Sequence, residues 1–94
     1  MDEGAAAEWA RDNITVNALV PAMWTPMYDE FRGHLSPQAL SAHDAAIAAT
    51  IPLGGKLGDP DRDLGPVMVF LASEGARFIT AQLISVNGGL NSVR

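Results

Sequence analysis

Residues 4–11, Gly-Ala-Ala-Ala-Glu-Trp-Ala-Arg, contain no β-branched residue and are dominated by alanine, which loses no side-chain entropy in a helix. They predict a helix, ended by Asp12-Asn13, two residues that tolerate the turn that follows. Residues 14–20, Ile-Thr-Val-Asn-Ala-Leu-Val, predict a strand that Pro21 stops. The run is mostly apolar rather than alternating, which suits a strand covered on both faces, as in parallel sheets. Thr25-Pro26 and Ser36-Pro37 each open a helix, because proline is pre-set for the first helical position; the helices should cover about 26–32 and 37–49. From Thr50 to Gly58 there are too many breakers for a regular element. Asp59-Pro60 opens a further helix over about 60–73, with Asp59 as N-cap and Asp61 near the positive end of the dipole. In it Leu64, Val67, Met68 and Leu71 recur at helical spacing, Phe70 widens the stripe, and the stripe reads as core. Pro66 falls inside that segment and predicts a kink. Residues 82–86, Gln-Leu-Ile-Ser-Val, predict a second strand before an Asn87-Gly88-Gly89 turn.

The order is therefore α–β–α–α–α–β, a single α/β domain over residues 1–94 whose two parallel strands are joined by a helical, right-handed crossover. Two buried-type strands do not make a stable sheet alone, and an apolar edge is left with unpaired backbone groups. The pattern reads as the end of something larger.

Composition narrows the partners. Eleven acids against six bases leave a net charge of −5, which argues against a nucleic-acid partner, since that needs clustered Lys and Arg. With 48% hydrophobic and 18% charged residues the chain is expected to fold rather than stay disordered. The absence of cysteine excludes disulfides and thiolate metal sites. No apolar run is long enough for a bilayer, and Asp2, Glu3 and Glu8 do not suit a signal peptide; a cytoplasmic protein with no membrane partner is expected.

Few residues offer chemistry by themselves. His34 and His43 lie on different predicted helices without a nearby cysteine, a poor metal pair, and read as surface residues. Asp59, Asp61 and Asp63 with Glu30 suggest an acidic site, but capping and the helix dipole explain the first two, and no metal is expected. Gly54, Gly55 and Gly58 neither follow a strand nor fit a phosphate-binding turn.

Three stretches carry a resemblance. They are the run from Glu8 to Pro21 (Glu-Trp-Ala-Arg-Asp-Asn-Ile-Thr-Val-Asn-Ala-Leu-Val-Pro); the run from Ile51 to Pro60 (Ile-Pro-Leu-Gly-Gly-Lys-Leu-Gly-Asp-Pro); and the series Phe70-Leu71-Ala72-Ser73-Glu74, Phe78-Ile79-Thr80-Ala81-Gln82 and Val86-Asn87-Gly88-Gly89. In order and spacing they resemble the C-terminal portion of the short-chain dehydrogenase/reductase family. The resemblance implies part of a Rossmann-type doubly wound sheet that binds a nicotinamide dinucleotide, NAD or NADP, across the carboxyl ends of its strands. It implies hydride transfer between that cofactor and an alcohol or carbonyl, a small-molecule substrate. In the family a Ser and a Tyr-x-x-x-Lys pair handle the proton, and a Gly-x-x-x-Gly-x-Gly turn holds the pyrophosphate. None of these motifs is among the 94 residues: Tyr28 is followed four positions on by Arg32, a chance near-match, and the one lysine is Lys56.

What the resemblance carries over is the nicotinamide end of the cofactor site, at Pro21, Ala22, Met23 and Thr25, with Trp24 and Met27 toward the substrate pocket; the residues themselves leave equally open that Met23, Trp24 and Met27 cap the small core. Residues 22–58 correspond to the substrate lid. Ala22 stands where the family has glycine, so a positive φ there would be strained, and Thr25 follows the proline by four positions rather than five. Ala81 also replaces a glycine and Asn87 an aspartate; both are expected to be tolerated. The chain alone is expected to bind no cofactor and to be inactive, with no catalytic residue of its own. Its partners are then a missing N-terminal half or a second copy, met through the last helix and strand. The alternative is a non-catalytic assembly module that self-associates or pairs with a full-length relative.

Overall fold

A computed structural model describes residues 3–90. The elements are α1 (Glu3–Ala10), β1 (Ala18–Pro21), α2 (Pro26–Gly33), α3 (Pro37–Thr50), a π-helical turn (Pro60–Leu64), α4 (Gly65–Leu71), a 3-10 turn (Glu74–Ala76) and β2 (Leu83–Val86). β1 and β2 form a two-stranded parallel sheet, with Ala18 opposite Leu83 and Pro21 opposite Val86. The helices begin as the sequence requires. Thr25 caps α2 by accepting from the Tyr28 amide, Ser36 caps α3 by accepting from Ala39, and Asp59 accepts from Asp61 and Arg62. Asn13 closes α1 at φ +61°: its amide donates to the Ala10 carbonyl and the Ile14 amide to the Trp9 carbonyl, the double bond of a left-handed helix stop.

Three expectations are corrected. β1 covers 18–21, not 14–20. Ala81 sits at φ +60°, so the chain swings out of register just before β2. There the Val16 amide bonds the Thr80 hydroxyl at 3.0 Å instead of a carbonyl. Asn17 fills the gap with its side chain, donating to the Ile79 carbonyl and accepting from the Gln82 amide, each at 3.1 Å. The alanine at 81 is therefore a strained substitute for glycine, at a cost of about 1–2 kcal/mol, whereas Ala22 has no positive φ and is unstrained. The helix expected over 60–73 is divided rather than kinked. The Gly65 amide reaches back five residues to the Pro60 carbonyl, and Pro66 opens α4 in its first turn, where its missing N–H costs nothing.

The third correction concerns the core. Ala6, Ile51 and Ala76 are the buried hydrophobic residues among those described, and no residue of α4 is buried. Met68 is 54% exposed, Val69 70%, and Phe78 beyond the helix 99%. The stripe is apolar without being core, because two four-residue strands cannot cover it. The chain exposes 7058 Å², against about 5,200 Å² for a compact monomer of this mass. Its radius of gyration is 16.7 Å, against about 12 Å for a compact chain of this length.

Candidate functional site

The site is built where β1 ends. Residues alternate between the two edges of a strand. The amides of Ala18 and Ala22 face β2, donating to the carbonyls of Gln82 and Val86. Beyond Val86, β2 turns away through Asn87, whose Oδ1 accepts from the Gly89 amide at 3.1 Å and whose Nδ2 donates to the Leu90 carbonyl at 2.7 Å. Gly58 takes the vacated place beside β1. Its amide donates to the Ala22 carbonyl at 3.0 Å and its carbonyl accepts from the Trp24 amide at 2.7 Å. This one-residue parallel bridge, Met23 opposite Gly58, staples the end of the 22–58 excursion to its beginning. A side chain at 58 would meet the Met23 sulfur at 2.9 Å and an Asp63 carboxylate oxygen at 3.1 Å, so both flexible side chains would have to move aside for it.

A recess of about 560 Å³ opens at these carboxyl ends, lined by Ala22, Met23, Leu53, Lys56, Asn87 and Gly88 among others. A larger groove of about 1020 Å³ lies at the amino ends, between Ile14, Leu71, Arg77 and Phe78. No predicted site residue lines that groove. Ligands of open α/β sheets bind outside the carboxyl ends of the strands, so the smaller recess is the candidate.

The structure brings the predicted residues together only in part. Ala22 and Met23 line the recess. Pro21 is the last residue of β1, opposite Val86. Thr25 uses its hydroxyl to cap α2, receiving the Tyr28 amide at 3.2 Å. Trp24 is half-buried at the mouth of the lid, and Met27 is 81% exposed. Met23 has a further property. Since Ala22 and Trp24 turn their groups toward Gly58, the amide and carbonyl of Met23 point to the opposite edge, where neither has a partner among the described residues.

The helices α2 and α3 hold contacts the sequence did not announce. Tyr28 Oη lies 2.7 Å from His43 Nε2. Arg32 forks onto both carboxylate oxygens of Asp44. That hydrogen-bonded pair holds the Asp44 carboxyl below the usual carboxylate range and raises the Arg32 guanidinium further. The histidines thus divide: His34 is exposed, while His43 is half-buried against Tyr28 and Phe31. Tyr28, Phe31 and Arg32 share one face of α2 at i, i+3 and i+4, a legible signal. His43 and Asp44 are adjacent on α3, so no spacing marked them as its counterpart.

Residues 3–91 match the family model described as enoyl-(acyl carrier protein) reductase. The chain belongs to the short-chain dehydrogenase/reductase family. It is 33% identical over 87 residues to the 12alpha-hydroxysteroid dehydrogenase of Clostridium sp., covering 92% of this chain and 31% of that protein. It is 37% identical over 91 residues to a Staphylococcus aureus 3-oxoacyl-[acyl-carrier-protein] reductase, covering 96% and 33%. A solved Burkholderia xenovorans structure described as a short-chain dehydrogenase/reductase superposes with a TM-score of 0.81 at 35% identity, covering 97% of this chain and 34% of that one. The NADPH-dependent reductase of bacilysin biosynthesis superposes at 0.79 with 32% identity, covering 97% and 35%. This short-chain dehydrogenase/reductase chain thus spans about a third of the length of the relatives it matches. The mixed α/β arrangement with a parallel strand pair is the corresponding part of their Rossmann fold. Among the described residues no helix is long and apolar enough to cross a membrane.

Proposed function

We propose that these 94 residues are the nicotinamide-side wall and substrate lid of an NAD(P)-dependent oxidoreductase that interconverts an alcohol and a carbonyl compound. The observation that carries this reading is the backbone of Met23, an unpartnered donor and acceptor side by side beyond the end of a parallel strand. A carboxamide has one group of each kind, so it fits that pair as a neighbouring strand would. When bound, the nicotinamide supplies the hydride. Pro21 and Ala22 bring the chain to the ring, and the unstrained alanine at 22 lets the strand continue straight into Met23. Thr25 fixes where α2 begins. Trp24 and Met27 give the substrate side an apolar surface that excludes water.

The proton-handling Ser, Tyr and Lys and the glycine-rich pyrophosphate turn are to come from residues outside this stretch, so the 94-residue chain alone is to show neither turnover nor measurable cofactor binding. Purified chain with NADH or NADPH and a panel of ketones tests this. No oxidation of the reduced cofactor is expected, and robust turnover would defeat the reading.

One observation favours a second reading, an assembly role. Met68, Val69 and Phe70 of α4, with Phe78 and Leu83 beyond it, are all about half exposed or more. So much apolar surface calls for a cover, which a second copy or a full-length relative could provide. Light scattering on the eluting chain decides: a well-folded monomer removes this reading, and a defined dimer or hetero-complex supports it.

A further inference from the structure

Neither α2 nor α3 contains a buried residue, so aliphatic packing does not hold the lid helices together. A row of polar and aromatic contacts does. Tyr28 reaches His43 at 2.7 Å, and Phe31 lies edge-on to the same imidazole with ring centres 5.7 Å apart. Arg32 binds Asp44 with both fork nitrogens, Nη2 to Oδ2 at 3.2 Å. The guanidinium lies 4.5 Å from the centre of the Trp24 ring, and the indole N–H donates to Asp29 Oδ1 at 3.1 Å. Arg32 is therefore enclosed between a carboxylate and an indole, its side chain only 18% exposed, although it sits on a short surface helix. Trp24 is also the residue whose backbone amide completes the bridge to Gly58. The contacts thus run without a gap from Asp44 on α3, through Arg32 on α2 and Trp24, to the end of β1.

We propose that Tyr28, Arg32, His43 and Asp44 are positioning residues that act through Trp24. They lock α2 and α3 into one body and tie that body to the strand end, so that Trp24 and Met27 are held at a fixed place over the substrate. The inference rests on the reading of residues 22–58 as a substrate lid. None of the four needs to touch the reacting atoms. Their effect is to make the lid's substrate surface pre-formed, so that binding does not have to order it. Arginine is needed because the fork and the stack both use its planar group, which a lysine ammonium cannot reproduce.

The test compares Asp44→Asn, Asp44→Glu and Arg32→Lys with the unaltered natural full-length protein, by hydrogen exchange and steady-state kinetics. Asp44→Asn and Arg32→Lys are expected to speed exchange of the α3 amides about tenfold, the loss of one charge-assisted pair. They should raise KM for the carbonyl substrate about three- to tenfold while kcat stays within about twofold, a ground-state positioning signature. Cofactor affinity should not move, and Asp44→Glu should restore both quantities. Unchanged exchange in Asp44→Asn overturns the brace, and faster exchange with an unmoved KM overturns the positioning role. A full-length protein that transfers no hydride defeats the functional reading instead, and exchange in α3 still decides whether the brace exists.

Discussion

The strand end and the lid meet at Trp24, yet they are held by different forces. The strand pair is tied by bonds between residues 62 to 65 positions apart: Ala18 to Gln82 and Ala22 to Val86 along the ladder, and Val16 to Thr80, Asn17 to Ile79 and Gln82 to Asn17 before it. The ladder bonds join backbone groups, so their geometry follows from the chain's course; the three before the ladder each join a backbone group to the side chain of Thr80 or Asn17. The lid is tied by pairs 12 and 15 positions apart, Arg32 with Asp44 and Tyr28 with His43, all through side chains. On the proposed function, a site that holds one cofactor and accepts various substrates would be well served by this division. The wall is fixed by the chain's course, and the lid by side chains that substitution can retune.

The comparison breaks most readily at Gly88. Its φ is +64°, and an added Cβ would lie 2.7 Å from Ile51 Cγ2 and 3.3 Å from the Leu53 carbonyl oxygen. Gly88→Ala should destabilise by about 2–4 kcal/mol through left-handed strain and overpacking, read as a shift in denaturation midpoint. Ile51→Ala, at the largest fully buried side chain described, should lower the same midpoint by an amount equivalent to about 2–4 kcal/mol. A loss well under 1 kcal/mol there would show that the site is not core. Asn17→Ala removes a donor and an acceptor that bridge the register gap and should cost about 1–3 kcal/mol. In the lid it should leave exchange of the α3 amides unaltered, which sharpens the contrast.

Acid separates the two regions next. Because Arg32 depresses the Asp44 carboxyl, the pair's contribution is fully present above the unfolded carboxylate value of about 3.9 and is lost as pH falls through the lower folded value. The Asp44 contribution to lid protection should therefore be flat from neutral pH to about 5 and disappear only in stronger acid. Asp44→Asn should abolish that acid step, while the strand amides show none. The smallest effect is a gain. Ala81→Gly should relieve the φ +60° backbone and stabilise by about 0.5–1 kcal/mol after the entropy of the freer glycine. No gain would mean that the strain is already relaxed.

How much of this was legible follows from the range of the forces involved. The caps at Thr25, Ser36 and Asp59 and the stop at Asn13 depend on neighbours within a few positions, and the sequence shows them directly. The family and the parallel strand pair were also visible, from motifs spread over the chain. The length of β1 was not, because Ala81, distant in sequence, sets the register. The exposure of the α4 stripe was not either: periodicity says which face is apolar, but not whether anything covers it. At the site, Ala22 and Met23 could be placed from the residues that end β1. The pairing of Tyr28 and Arg32 with His43 and Asp44 could not, since it depends on the angle between two helices.

Residues 25–57 leave the strand pair beyond Met23 and rejoin it at Gly58, and on the way the Leu53 amide donates to the Gly88 carbonyl at 3.0 Å. Changes of length or composition before Ile51 leave both ties in place, so they need not disturb the strand pair. That stretch is in effect an exchangeable cassette mounted on an unaltered strand frame.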